Sequence, residues 1–230
     1  VPGEIYKLMI LCVFSDIHGN RLYFDFLADV WKGMDIDRFF FLGDAIGYFP
    51  DGNEVLDRLK EFNPVCIKGN HEAMLLGLLP LSDEKDEVYH LKEQKANLTE
   101  ENLSFLKRWP DTWEKDINGL RIHFVHGTIS DPLTGTGYEN SEFANFDQIG
   151  LDVLFIGQTH RPWIRRNKHT LIVNVGSVGL PRDYGNQPSF VLFDTKTKAV
   201  SIWRVEIDPG PILDHPEGIH PSVLDVLKRK

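Results

Sequence analysis

The chain has 230 residues, of which 42% are hydrophobic and 26% charged. That is long enough for a sizeable buried core, with no collagen-like or disordered bias. A net charge of -9 argues against broad electrostatic affinity for nucleic acid, which needs a surplus of Lys and Arg. It leaves a phosphate substrate open, because bound cations would invert the local field.

Cys12 and Cys66 sit inside the apolar runs "MILCVF" and "PVCIKG". They read as small buried hydrophobes rather than a disulfide framework, which points to a reducing compartment and a cytoplasmic location. The stretch "LMILCVF" is too short to span a bilayer and stops at Ser15 and Asp16 with no small-residue cleavage site. A buried first strand is therefore expected instead of a signal peptide. The first residue, Val1, leaves room for a processing or expression remnant ahead of that strand.

Residues 8–15 are expected to form a fully buried strand. Tyr23, Phe26, Leu27, Val30, Trp31 and Met34 follow at helical spacing, with Gly33 near the natural stop. Residues 38–43 form a second strand, Val55, Leu56, Leu59 and Phe62 one face of a second helix, and residues 64–69 a third strand. This β-α-β-α-β opening predicts a parallel sheet with crossover helices. The acidic stretch 81–97 reads as a solvated helix or lid, and Thr99 marks a helix start, with Glu100 and Glu101 in its first turn.

After Trp109 and Pro110 the period changes. Asn118-Gly119 between two short apolar runs predicts a hairpin, and further strands are expected at 151–156, 169–175, 189–194 and 199–205. The pattern implies two sheets packed face to face with helices outside. With no repeat and no linker-like segment, residues 1–230 are expected to form a single domain. The tail from Pro209 is Pro-rich and weakly patterned.

Chemistry collects at the ends of the strands. Strand one ends in "SDIHGN" with Asp16 and His18, strand two in "GDAIGY" with Asp44, and strand three in "GNHE" with Asn70, His71 and Glu72. The hairpin ends in "VHGT" with His126, and the strand at 151–156 ends in "GQTH" with Gln158 and His160. In α/β architectures ligands bind outside the carboxyl ends of strands, so these five loops should converge. They offer oxygen and imidazole ligands without a thiolate, which suits Mn, Fe or Zn. A carboxylate such as Asp44 can bridge two cations, as a two-metal hydrolase needs. His90, His123 and His169 read as ordinary structural histidines, and His215 and His220 as surface residues.

The series "DIH", "GDAIGY", "GNHE", "VHG" and "GQTH" resembles the calcineurin-like metallophosphoesterases, whose pattern runs D-x-H, G-D-x-x-G/D, G-N-H-D/E, H and G-H-x-H. The later "NVGSVGLPRD" (174–183) is similar to a segment of the small bacterial and archaeal phosphodiesterase branch, with Val175 where that branch has proline. The resemblance implies a four-layer α/β/β/α sandwich of two mixed sheets flanked by helices. It implies two divalent transition-metal ions, one held by Asp16, His18, Asp44 and His160. Asp44 would bridge to the second, which Asn70 and His126 also hold. The remaining ligand of that second ion is a histidine in the family and Gln158 here, so the second site is expected to be weakened.

The implied reaction is hydrolysis of a small-molecule phosphoester, most simply a phosphodiester, by in-line attack of a metal-bridging hydroxide. Asn70 would stabilise charge on the phosphoryl oxygens, and His71 would be the general acid. Glu72 reads as a first-turn helix acid. Arg161 and Arg182 are candidates for holding a substrate phosphate, while Tyr48 and Tyr184 are expected to pack locally. The lid-like 81–97 and the insertion 127–140 are expected to shape the pocket. The alternatives are a metal-binding scaffold of the same fold, a phosphomonoesterase or a protein phosphatase. No membrane partner is expected.

Overall fold

The computed structural model describes residues 9–142 and 149–230; Leu8, the expected start of the first strand, lies outside them. In chain order the elements begin β1 (Ile10–Phe14), α1 (Arg21–Lys32), β2 (Arg38–Phe41), α2 (Gly52–Phe62), β3 (Val65–Cys66) and α3 (Asn70–Leu75). Three further helices follow, α4 (Asp83–Tyr89), α5 (Leu91–Asn97) and α6 (Glu100–Lys107), then the hairpin β4 (Thr112–Ile117) and β5 (Leu120–Val125). The strands β6 (Val153–Ile156), β7 (Trp163–Arg166), β8 (Leu171–Asn174), β9 (Ser189–Asp194) and β10 (Val200–Arg204) come next, and α7 (Gly210–Asp214) and α8 (Pro221–Leu227) close the chain.

The strands form two mixed five-stranded sheets, ordered β10-β9-β1-β2-β3 and β4-β5-β6-β8-β7. The parallel β1-β2-β3 block is the expected product of the alternating opening. Strand β1 explains why its sequence is continuously apolar. Leu11 and Val13 face the second sheet, whereas Cys12 and Phe14 face the helices, and all four are fully buried. A strand covered on both faces needs no polar alternation.

Between the sheets Phe40 stacks on Phe124 with ring centres 4.2 Å apart and planes 7° from parallel, joined by Val173, Phe155 and Phe193. On the outer side Phe14 and Phe41 meet Leu27, Trp31, Leu56 and Leu59 of α1 and α2. Each such side chain contributes about 1.5–3 kcal/mol by leaving water. Asn20 caps α1 by accepting the Tyr23 N–H, and Thr99 caps α6 by accepting the Asn102 N–H, as its sequence signature predicts.

Three local expectations need correction, and one strand is unforeseen. Phe26 was placed on the buried face of α1 but is 44% exposed. The buried stripe is Tyr23, Phe24, Leu27, Ala28 and Trp31, rotated by about one residue. The acidic stretch 81–97 is two short helices meeting at His90, whose φ is 55°, and Leu91 and Gln94 are buried rather than solvated. The tail is not patternless. Val223, Val226 and Leu227 of α8 dock against Tyr23, Tyr48, Phe49 and Leu180. Finally, "WIRR" forms the edge strand β7, too short and too charged to be recognised from its own residues.

The loops beyond the strand ends are stitched together across both sheets. The N–H groups of Asp16 and His18 donate to the carbonyls of Gly43 and Asp44 at 3.0 and 2.9 Å, and the Gly157 N–H donates to the His126 carbonyl at 2.9 Å. Val175 donates its N–H to the Ile156 carbonyl at 2.9 Å, a bond that a proline at this position would lack. Among the described residues no helix is long and apolar enough to cross a membrane.

Candidate metal centre

Asp16, His18, Asp44, His126 and His160 arrive from four different strand ends and are buried, each 2% exposed or less. The His160 Nε2 lies 3.1 Å from the Asp16 Oδ1 and 3.1 Å from the His18 Nε2. The Asp44 Oδ2 lies 3.3 Å from the His126 Nε2, 3.8 Å from the His18 Nε2 and 4.0 Å from the His71 Nε2. The Asn70 Oδ1 is 3.1 Å from the His126 Nε2. The five loops converge, and Asp44 stands between the two halves.

Three backbone carbonyls set the imidazoles. The Nδ1 atoms of His126, His160 and His18 face the carbonyls of Leu42 at 2.8 Å, Leu180 at 2.6 Å and Ile46 at 3.3 Å. A carbonyl can only accept, so each Nδ1 is the donor, and the neutral ring is left with a bare lone pair on Nε2. His18 and His160 thus point two bare Nε2 atoms at each other across 3.1 Å. Beside them the buried Asp16 Oδ1 has no hydrogen-bond donor. Lone pairs and a carboxylate oxygen turned on one point repel unless a cation lies among them. The residues therefore fit a divalent metal, and three groups drawn from Asp16, His18, Asp44, His71, His126 and His160 have ligand atoms close enough to hold one.

The electrostatics of the cluster agree. Burial opposes ionisation of Asp16, yet the neighbouring His160 and His126 hold its carboxyl well below the usual range. Burial likewise opposes ionisation of Asp44, which His126 and His71 nonetheless pull down. Burial also works against charge on His126, but Asp44 and Asp16 push it up to about 10. His71 is lowered by burial to about 3 despite Asp44. His160 falls to about 4, through burial and the Arg182 charge. The two carboxylates thus favour positive charge at the centre of the cluster.

The backbone is strained where the ligands sit. Asp16, His18, Asp44, Gln158 and His160 have φ of 58°, 56°, 60°, 66° and 57°, the left-handed region that costs non-glycine residues about 1–3 kcal/mol. Close packing holds them there. A Cβ on Gly69 would come within 2.1 Å of the Asp44 Oδ1, an oxygen that accepts the His71 N–H at 2.9 Å. With Oδ1 so engaged, Oδ2 is the oxygen that Asp44 presents to the cluster.

Glu72 exceeds its expected role as a first-turn acid. From the third position of α3 it reaches back to accept the N–H of the capping residue Gly69 at 2.8 Å. It also accepts the N–H groups of Asp44 and Ala45, each at 2.8 Å. Burial and the Asp44 charge push its carboxyl up to about 7 against those three donors. Asn174 and Ser177 of the "NVGS" segment brace the other loops. The Asn174 Nδ2 donates to the Gly157 carbonyl at 2.8 Å, and the Ser177 hydroxyl donates to the Asp16 carbonyl at 2.7 Å.

Gln158 donates its backbone N–H to the Asp16 Oδ2 at 3.3 Å, and its buried Oε1 has no hydrogen-bond donor. His71 stacks on Tyr89 with centres 4.5 Å apart and planes at 30°, and Tyr48 lies 5.0 Å from the same ring. Arg182 donates to the Tyr48 hydroxyl at 3.1 Å. Arg161 is exposed and lines a cleft of about 480 Å³ with Tyr138, Glu139, Asn140, Pro162 and Trp163, the last three residues of the insertion forming part of its wall. Tyr184 is 48% exposed, with the Arg204 guanidinium over its ring. His123 is paired with Glu114 at 2.9 Å, the structural role expected of it. Tyr89 was missed because nothing in its local sequence marks it.

Two face-to-face mixed sheets with a buried Asp/His cluster beyond the strand ends, and the half-buried Asn70 beside it, define a scaffold fit to hold divalent metal. The calcineurin-like phosphoesterase superfamily domain matches residues 9–198, and the chain belongs to that family of phosphoester-hydrolysing enzymes. An uncharacterized protein of Methanocaldococcus jannaschii is 29% identical over 215 residues, covering 86% of this chain and 88% of its own. The crystal structure of a metallophosphoesterase from Sphaerobacter thermophilus superposes with a TM-score of 0.80 at 22% identity, over 96% of this chain and 98% of that one. A hypothetical protein from Pyrococcus horikoshii OT3 does so with a TM-score of 0.80 at 21% identity, over 95% and 97%. These likenesses extend over nearly the whole of each chain.

Proposed function

We propose that the protein is a two-metal phosphodiesterase acting on a small-molecule diester, with residues 1–230 working as one domain. The observation that carries this reading is the pair of bare Nε2 atoms of His18 and His160 at 3.1 Å beside the unsatisfied Asp16 oxygen. Asp16, His18, His160 and Asp44 would hold one ion, and Asp44, Asn70, His126 and Gln158 would hold the other. Two divalent cations, drawn from Mn, Fe and Zn, supply Lewis acidity at phosphorus and lower the pKa of the attacking water.

The chain's own groups do the rest. The Asn70 side chain also has an amide that can donate to a phosphoryl oxygen as charge develops. His71 lies in the first turn of α3 with its Nε2 4.0 Å from the Asp44 Oδ2, and it would give the proton to the leaving oxygen once the anionic substrate offsets the burial that keeps the ring neutral. Tyr89 and Tyr48 hold that ring in place. Arg182, fixed by its hydrogen bond to Tyr48, offers a guanidinium to a substrate oxygen. The exposed Arg161, next in sequence to His160, lies on the wall of a cleft with Tyr138 and Trp163.

The test is hydrolysis of bis(p-nitrophenyl) phosphate by metal-stripped protein as Mn²⁺ is titrated in. Turnover that rises in two steps, with p-nitrophenyl phosphate cleaved more slowly, is the expected result. Faster monoester cleavage would make the protein a phosphomonoesterase. No turnover of either ester at any metal level would leave a metal-binding scaffold.

A further inference from the structure

We propose that Gln94 is a positioning residue for His71, acting from α5 through the loop 47–49. The inference rests on the general-acid role given to His71 above and adds what fixes that ring.

Among the described residues no hydrogen bond orients the His71 ring. The residue is 2% exposed, and its buried Nδ1 has no partner. The Asp44 Oδ2, at 4.0 Å from its Nε2, is beyond hydrogen-bond length. The ring is therefore held by what packs against it. Tyr89 stacks on it with centres 4.5 Å apart, Tyr48 lies 5.0 Å away, and His18 meets it at 65° with centres 4.5 Å apart. Gly47 closes on the Nδ1 itself, where a Cβ would come within 2.2 Å. Two of these four neighbours, Gly47 and Tyr48, lie on one loop.

That loop does not hold itself. Gly47 and Tyr48 have φ of 93° and 63°, and the left-handed Tyr48 persists only where its surroundings fix it. Gln94 grips the loop on both sides of Tyr48. Its Oε1 accepts the Gly47 N–H at 2.9 Å, and its Nε2 donates to the Phe49 carbonyl at 2.8 Å. Between those two bonds the Tyr48 N–H donates to the Tyr89 carbonyl at 2.9 Å. A primary amide suits this place because it carries a neutral acceptor and a donor side by side. The left-handed turn at His90, between α4 and α5, brings Tyr89 and Gln94 to the same loop. Among the described residues the Gln94 side chain bonds to none of the candidate metal ligands, so its influence on the chemistry passes through the loop to His71.

The test compares an alkyl phosphodiester with bis(p-nitrophenyl) phosphate, whose leaving group departs without a proton. Gln94→Met, similar in length and without the amide, should lower kcat on the alkyl ester by about 10- to 100-fold, the scale of a misplacement of about 1 Å. KM should change little, and the p-nitrophenyl ester should lose far less. Gln94→Glu keeps the acceptor for Gly47 but turns an oxygen on the Phe49 carbonyl. It should shift the ratio of the two rates in the same direction, and it keeps the comparison available if the Met variant does not fold. Both variants should take up Mn²⁺ as the native protein does. Equal losses on both esters in the Gln94 variants, beside a leaving-group-dependent loss in His71→Ala, would overturn the inference and leave the role of His71 intact. Equal losses on both esters in His71→Ala would overturn that role and this inference together.

Discussion

The Glu72 carboxylate accepts the Asp44 backbone N–H at 2.8 Å, so a side chain that is no candidate ligand holds the main chain of the central one. The same carboxylate ties in Ala45 and Gly69. Glu72 thereby joins the loop after β2 to the start of α3, and its full burial makes the geometry rigid.

Glu72→Gln places an amide N–H₂ where an oxygen now accepts. At least one of the three buried donors loses its acceptor, at a cost of about 1–3 kcal/mol. Chemical denaturation of the metal-stripped protein should register that loss. Metal affinity should fall with it, by about 10- to 100-fold, because Asp44 is no longer fixed. Native stability with native metal affinity would refute the clamp.

Asp44→Asn removes the charge shared by both halves. Hydrolysis should drop by at least about 100-fold, the upper range for disturbing even an outer partner of a metal ligand. Chelation of the native enzyme should abolish the same activity, and Mn²⁺ should restore it in the native protein but not in the variant. An Asp44→Asn enzyme that regains full rate on adding metal would exclude the bridging role.

The His71 role predicts a dependence on the leaving group. His71→Ala should slow hydrolysis of an alkyl phosphodiester by about 10²–10⁴-fold, the range for a positioned general acid. The p-nitrophenyl ester should suffer far less, because p-nitrophenolate departs without a proton. Equal losses on both esters would show that His71 only shapes the loop.

The tail makes a prediction about stability. Leu227 is 1% exposed and packs with Tyr23, Tyr48 and Phe49. Leu227→Ala should cost about 2–5 kcal/mol through lost burial and the cavity left behind. An unaltered denaturation midpoint would mean that α8 does not dock in solution.

Much of this protein is written locally. The continuous apolar runs of β1 and β2, the Asn118-Gly119 turn and the Thr99 cap all act over a few residues. So do the Asp, Asn and His residues at the strand ends, which is why the candidate ligand set was legible before any coordinates. The parallel opening needs only right-handed crossovers to bring those ends together.

What only the tertiary structure decided lies in contacts between distant segments. The rotation of α1 about its own axis that exposes Phe26 depends on what packs beside it, not on helical spacing. Gln94 fixes the "GDAIGYFP" loop from α5 by accepting the Gly47 N–H at 2.9 Å and donating to the Phe49 carbonyl at 2.8 Å. The carbonyls of Leu42, Ile46 and Leu180 set the histidine tautomers through backbone atoms that every residue type possesses. The left-handed conformations at Asp16, His18, Asp44, Gln158 and His160 persist because surrounding packing outweighs their strain. Residue identity determines which groups can ligate a metal; only the closed fold determines that five of them point their lone pairs at the same small space.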